Sequence, residues 1–175
     1  MSLRNYPYFR GRQSELLALR DTSSKLATKK RVIPVIEPVM ANTSGLTAFL
    51  ETAKSQYPHV VITNPAVGEL VGQPTAIEAL IAPYLLITGN QIIPGFIVGP
   101  TTTAAHINAF LTKHGQRETV LVFDRPVQAA IQGAIPRILA SPIKPVAMFM
   151  EGKVSSSLIQ AFAALKKSPL NKSQI

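Results

Sequence analysis

Short apolar runs rich in β-branched residues recur at an even spacing along the chain, and most of them end on a polar residue. The runs predict strands at 5–10, 32–38, 59–65, 92–99, 119–124 and 146–151. The terminal polar residues of five of these runs are Arg10, Glu37, Asn64, Asp124 and Glu151. The steps from 10 to 37, from 37 to 64 and from 124 to 151 are each 27 residues, and the 60-residue step from 64 to 124 contains the fourth strand. Because a βαβ step takes about 30 residues, this spacing predicts compact βα units.

The segments between the predicted strands have the periodicity of amphipathic helices. One of them carries a single apolar face at i, i+3, i+4 and i+7 spacing, formed by Leu46, Phe49, Leu50 and Ala53. Pro83 and Pro136 lie inside two other helical segments and are expected to kink or end them. Because strands and helices alternate and the strands are continuously apolar, we predict an α/β protein of six parallel βα units.

The number of units leaves three architectures open. A complete (β/α)8 barrel needs eight units, whereas this chain of 175 residues has six. The chain is either part of a longer barrel, a barrel completed by a partner or a swapped second copy, or an open doubly wound sheet. No GxGxxG or GxxxxGK[ST] phosphate loop marks a switch point. We therefore favour an incomplete, TIM-barrel-like domain over residues 1–165, followed by a polar tail at 166–175, and we expect open sheet edges to favour a homo-oligomer.

The basic residues of the chain are concentrated at its two ends. The formal net charge is +9. Residues 1–31 carry eight Lys or Arg and two acidic residues, and residues 152–175 carry four Lys and no acidic residue, whereas the middle is close to neutral. Basic ends of this kind favour contact with nucleic acid or another polyanion. A solvated face or a surface that docks a partner protein accounts for the same pattern.

The composition excludes several classes of protein. The chain has no cysteine, so disulfides, a thiol nucleophile and a cysteine-based zinc site are excluded. No HxH or HExxH motif occurs, and no zinc site is predicted. The N-terminus lacks an apolar leader, and no window approaches 18 uninterrupted apolar residues, so neither secretion nor a membrane span is predicted. We expect a cytoplasmic protein.

The polar residues that end the strands are the candidate functional residues. In both barrels and doubly wound sheets the functional face lies at the carboxyl ends of the strands. Glu37 is an example, because it follows the apolar residues VIPVI of the stretch VIPVIEPV and directly precedes Pro38. A lone buried carboxylate is costly unless it is paired, hydrogen-bonded or solvated. We therefore interpret Glu37 as a residue at a polar rim.

Two chemical interpretations of this rim remain open. The candidate catalytic residues are the carboxylates Glu37, Asp124 and Glu151. The candidate ligand-binding residues are Arg10, Asn64 and Arg125. In the first interpretation the carboxylates bind Mg²⁺ or Mn²⁺, with Asn64 as a neutral oxygen ligand, and the arginines hold a phosphate or carboxylate, which suits phosphoester hydrolysis or enolisation. In the second, Arg10–Glu37 and Arg125–Glu151 are ion pairs that close the mouth.

Three stretches resemble the N-terminal part of the bacterial and phage "beta family" proteins: NYPYFRGRQSELLALRD, VIPVIEPV and VVITNPAVGEL. The matching residues are Pro7, Arg10, Gly11, Glu15, Leu16, Ala18, Leu19, Arg20, Pro34, Glu37, Pro38, Asn64, Pro65 and Gly68. The resemblance is good over residues 5–70, moderate to residue 99 and weak beyond, with departures at Asn5, Phe9 and Arg12. Members of the family are usually longer. The resemblance implies a barrel-type fold with these rim residues and a phage- or defence-related context, but no particular reaction.

Two hypotheses for function follow. The leading hypothesis is a metal-assisted, enzyme-like barrel of phage or defence context that acts on a phosphate- or carboxylate-bearing ligand at the rim. The competing hypothesis is a non-catalytic module whose basic ends dock nucleic acid or a partner protein.

Overall fold

The computed structural model describes residues 4–29, 31–124, 128–150, 156 and 159–160. These residues belong to two compact units, 1–97 and 98–175. The predicted boundary between a domain ending at residue 165 and a polar tail lies outside the described residues.

Strands and helices alternate along the described chain. The strands are β1 (Tyr8–Phe9), β2 (Val35–Ile36), β3 (His59–Ile62), β4 (Ile92–Val98), β5 (Val120–Phe123) and β6 (Val146–Phe149). The helices are α1 (Gln13–Asp21), α2 (Ser23–Thr28), α3 (Ser44–Ala53), α4 (Pro74–Leu85), α5 (Ala104–His114) and α6 (Gln128–Ala140). All the predicted strands are present, although each is shorter than predicted. Both helices with internal prolines continue past them, α4 beyond Pro83 and α6 beyond Pro136.

The strands of the first unit pair side by side in chain order, and every pair from β1 to β4 is parallel. Val35 of β2, for example, lies opposite Tyr8 on one side and Val60 on the other. The second unit begins with Val98, the last residue of β4, whose carbonyl accepts a hydrogen bond from the Asp124 N–H at 3.3 Å. β5 and β6 are also parallel. The hydrogen-bonded strand order is β1-β2-β3-β4-β5-β6.

This strand order distinguishes between the predicted architectures. In a doubly wound sheet the order reverses at a switch point, so that a later strand returns to the far side of an earlier one. Here β4 pairs with β3 and no reversal occurs in the described sheet. The predicted α/β class with six parallel βα units of barrel type is therefore confirmed, and the doubly wound alternative is excluded.

The core of the first unit lies between its sheet and helices α1, α3 and α4. The strands β2 and β3 are buried at every position. The predicted apolar face of α3 is confirmed, since its four residues are all buried: Leu46, Phe49, Leu50 and Ala53. Leu16 and Leu19 of α1 belong to the same apolar cluster. Burying a side chain of this size contributes about 1.5–3 kcal/mol, so this face fixes α3 on the sheet.

The edge strand β1 is only half-buried, in contrast to β2 and β3. The predicted assembly through open sheet edges stays a prediction. None of the described helices is long and apolar enough to span a bilayer.

Candidate functional site

The Glu37 carboxylate lies immediately after β2 and is 1% exposed. Its Oε2 accepts a hydrogen bond from the Tyr8 hydroxyl at 2.9 Å, and its Oε1 accepts one from the Ala66 N–H at 2.7 Å. Tyr8 belongs to β1, and Ala66 lies in the loop that follows β3. One carboxylate therefore ties together the carboxyl ends of three neighbouring strands, and its burial is compensated by hydrogen bonds to the charged form.

Arg10 follows β1 and contacts the same carboxylate. Its Nη1 lies 3.4 Å from Glu37 Oε2, so the predicted ion pair of these two residues is present. The Arg10 side chain is 46% exposed, whereas the Glu37 side chain is 2% exposed. A guanidinium has five N–H donors in a fixed plane. Glu37 thus anchors one edge of the Arg10 guanidinium while nearly half of the side chain faces solvent.

The close approach of the chain to Glu37 requires a glycine directly after Arg10. Gly11 has a φ of 61°, a conformation that L side chains rarely adopt, and it is buried. A Cβ at this position would lie 2.9 Å from the Glu37 carbonyl oxygen. The backbone therefore turns tightly over the end of β2, and this turn sets where Arg10 is held.

Asn64 uses its side chain to extend the pairing of β3 with β4. Its Oδ1 accepts a hydrogen bond from the Ile97 N–H at 2.7 Å, and its Nδ2 donates one to the Ile97 carbonyl at 2.8 Å. The amide thus takes the place of a backbone peptide two residues beyond the end of β3. Asn64 positions the loop after β3 through this contact.

The loops after β2 and β3 form a single layer at this rim. The Glu69 N–H donates to the Val39 carbonyl at 2.8 Å, and Glu69 Oε2 accepts from the Ala41 N–H at 2.7 Å. Three large apolar side chains on these loops are exposed: Met40 at 44%, Val67 at 39% and Val71 at 50%. The rim therefore combines one half-exposed cation with accessible apolar surface.

The remaining predicted site residues are Asp124, Arg125 and Glu151. Asp124 belongs to the second unit, where it is half-buried and its N–H bonds the Val98 carbonyl. Arg125 and Glu151 lie outside the described residues. Among the residues that the structure describes, no group of three or more His, Cys, Asp or Glu is arranged to hold a metal ion. The carboxylate cluster with Mg²⁺ or Mn²⁺ therefore stays a prediction.

Two partners of Glu37 were not predicted from the sequence. Tyr8 could have been proposed as a hydrogen-bond donor from the sequence, because a tyrosine in an apolar strand usually brings its hydroxyl to a hydrogen-bond partner. The Ala66 N–H could not have been proposed in this way, because any residue other than proline supplies the same donor at that position.

His59 is a second buried polar side chain of the first unit, and it lies at the opposite, amino end of β3. Its Nδ1 lies 2.9 Å from the Tyr57 carbonyl, to which the Nδ1-protonated ring donates, and its Nε2 has no hydrogen-bond partner in the described structure. The ring packs edge-on against Phe49 at 5.2 Å between centroids. Burial lowers the pKa of His59 to about 4, although the hydrogen bond to Tyr57 acts in the opposite direction. His59 is thus a neutral core residue.

The folded protein is expected to lose stability in mild acid because of His59. Between the ordinary histidine pKa near 6.5 and the folded value of about 4, the unfolded chain binds a proton that the folded chain excludes. This one group should lower the free energy of unfolding by about 2.5 kcal/mol between pH 7.5 and pH 4.5. Urea unfolding of the wild type and of His59→Phe across this range measures the difference. His106→Gln, at an exposed position on α5, is the control and should keep the wild-type dependence; equal slopes in all three proteins would contradict the assignment.

No protein-family model, curated protein or solved structure matches the chain.

Proposed function

We propose that the protein binds a small phosphate- or carboxylate-bearing ligand at the carboxyl ends of β1 to β3, with Arg10 as the residue that contacts the anion. The observation that carries this proposal is the Arg10 side chain, which is 46% exposed to solvent and whose guanidinium is held at one edge by the buried Glu37 carboxylate. An arginine fixed in this way can offer the N–H donors of its other edge to a planar oxyanion. It also loses little side-chain entropy on binding.

Glu37 acts in this proposal as a positioning residue. A general base needs an oxygen available to the substrate, and both oxygens of Glu37 already accept hydrogen bonds, from Tyr8 and Ala66. The same donors share the negative charge of the carboxylate, which lessens its repulsion of an anion bound to Arg10. The arrangement therefore favours binding over catalysis by Glu37.

The exposed apolar side chains favour a ligand with a carbon skeleton. Val67 directly follows Ala66, whose N–H binds Glu37, and Met40 lies on the neighbouring loop. Apolar atoms that leave water at these two side chains add about 25 cal/mol per Å² of buried area. We expect an organic carboxylate or phosphate to bind more tightly than the inorganic anion.

Metal-assisted catalysis remains a proposal for the chain as a whole. It requires carboxylates besides Glu37, and Asp124 and Glu151 are the candidates. Three residues that match the beta family motifs, Arg10, Gly11 and Glu37, come together at this rim. This convergence supports the proposal that the chain is related to that family and shares its phage- or defence-related context.

Substitution of Arg10 tests the proposed function. Arg10→Gln removes the charge and is expected to weaken binding of hexanoate and of inorganic phosphate at least tenfold, since a charge-assisted hydrogen bond contributes about 1.5–3 kcal/mol. Titration calorimetry at low salt measures both anions. Arg12→Gln is the matched control, because Arg12 is exposed and makes its Glu15 contact through its backbone N–H, which glutamine retains.

Either of two results would contradict the proposal. One is an equal loss of anion binding in Arg10→Gln and Arg12→Gln, which would show that the net charge of the protein, and not Arg10, attracts the anion. The other is the absence of heat for both anions in the folded wild type. If hexanoate binds no more tightly than phosphate, the apolar side chains of Met40 and Val67 do not contribute to binding.

A further inference from the structure

A second cationic surface lies at the opposite end of the first unit, where α2 leads into β2. Three exposed residues form it, Lys25, Lys29 and Arg31, and we refer to them as the basic turn. Arg10 follows a strand, whereas the basic turn precedes one, so in a parallel sheet the two lie at opposite ends of the strands. The basic turn is therefore separate from the proposed anion site.

Backbone hydrogen bonds fix the three cations relative to one another. The Lys29 N–H donates to the Lys25 carbonyl at 3.2 Å, which continues the helical pattern and places both side chains on one face. The Val32 N–H closes the turn by donating to the Lys29 carbonyl at 3.0 Å. The Arg31 carbonyl accepts from the Asn5 N–H at 2.7 Å, which joins the turn to the chain leading into β1.

The basic turn has no acidic neighbour in the stretch of sequence that contains it. No acidic residue occurs from residue 22 to residue 36. Asp21, the acidic residue that precedes this stretch, lies 3.8 Å from Arg20. The sequence adds a fourth cation, Lys30, within the same stretch. A run of like charge without acidic neighbours creates a positive potential that attracts polyanions.

We propose that the basic turn binds the phosphate backbone of double-stranded nucleic acid. The Cβ atoms of helical residues four apart lie about 6 Å from each other, and each strand of a duplex carries a phosphate about every 3.4 Å of helix axis, so Lys25 and Lys29 reach phosphates of one strand. Single strands are bound largely by stacking of bases on aromatic side chains. The stretch 22–36 contains no aromatic residue, and this favours a duplex bound without sequence preference.

Salt dependence gives this proposal a quantitative signature. Neutralising three phosphates of B-form DNA gives a slope of log K against log salt of about −2.7, so affinity should fall about 40-fold between 50 and 200 mM salt. Each cation removed from the contact should reduce the slope by about 0.9.

A pair of charge-matched variants tests the proposal. Lys25→Glu/Lys29→Glu is expected to bind a fluorescent 20-base-pair DNA duplex at least tenfold more weakly than the wild type at 50 mM salt, with a slope nearer zero by about 2. The control, Arg12→Glu/Lys113→Glu, reverses two exposed cations outside the basic turn and lowers the net charge equally. It should remain within about twofold of the wild type. Fluorescence anisotropy measures binding, and circular dichroism verifies that each variant is folded.

Three results would overturn the proposal. The first is no binding of the duplex by the folded wild type at 50 mM salt. The second is equal weakening in both double variants, which would show that net charge alone is responsible. The third is tighter association with vesicles of phosphatidylserine than with the duplex at the same salt concentration, which would make a membrane surface the partner.

Discussion

Replacing Glu37 with alanine is expected to lower the free energy of unfolding by about 4 kcal/mol, because it removes the buried charged acceptor to which several groups donate. The substitution removes the acceptor of the Tyr8 hydroxyl and of the Ala66 N–H, both part-buried. It also leaves Arg10 without its anchor. The three strand ends that meet at this carboxylate would then be held by the backbone hydrogen bonds of the sheet and by apolar packing.

A conservative substitution separates the charge from the hydrogen bonds. Glu37→Gln keeps one acceptor oxygen, and its amide donates to the Tyr8 oxygen, so we expect about half the loss seen with alanine. Asp21→Ala is the control, since the Asp21 side chain is 72% exposed and a surface ion pair contributes at most about 1 kcal/mol. The chain has no tryptophan, so urea unfolding is followed by circular dichroism. A loss below about 1 kcal/mol for Glu37→Ala would show that the rim does not depend on this carboxylate.

Gly68→Ala is expected to destabilise the protein as strongly, by about 4 kcal/mol or more, or to prevent folding of the first unit. Gly68 has a φ of 89°, and a Cβ there would lie 2.6 Å from the Val39 Cβ and closer still to the Val39 carbonyl oxygen. These atoms belong to the backbone and to the root of a side chain, so they have no rotamer by which to move aside. The loops after β2 and β3 would have to separate.

Gly72→Ala is the matched control for this substitution. Gly72 lies in the same loop and has a similar φ of 74°, but no atom lies within 4 Å of the position that its Cβ would take. An alanine at position 72 therefore has only the conformational cost of a left-handed backbone, about 1–2 kcal/mol. The difference between the two variants measures the contact of Gly68 with Val39. Equal losses of stability in the two variants would show that backbone strain, and not the contact with Val39, is the reason that position 68 requires glycine.

The fold was predictable because its signal is repeated along the chain. Each βα unit buries a continuous apolar strand, so the even spacing of such runs predicted the strands and the parallel sheet. The position of Glu37 at the end of its strand was predictable for a related reason, since an uncompensated carboxylate inside the core is too costly to be retained, but its burial was not predicted. The ion pair of Glu37 with Arg10 was one of the two interpretations of the rim that the sequence left open.

The details of the site depend on contacts that residue types do not specify. Ala66 contributes a backbone N–H, and its approach to Glu37 results from the way that the loops after β2 and β3 pack. Asn64 has the chemistry of a metal ligand in the sequence, but its amide faces the backbone of Ile97. The sequence offers no means of distinguishing these two orientations, because the residue type is the same in both.

The joined loops after β2 and β3 also constrain how this rim can be redesigned. Because Gly68 packs on Val39 and Glu69 bonds to both Val39 and Ala41, an insertion in either loop would displace the other. The two loops should therefore be exchanged between proteins as one cassette, in contrast to the independent loop grafting that barrel scaffolds usually permit. Libraries that diversify only exposed positions such as Met40 and Val67 would leave that cassette intact while changing the exposed surface of the rim.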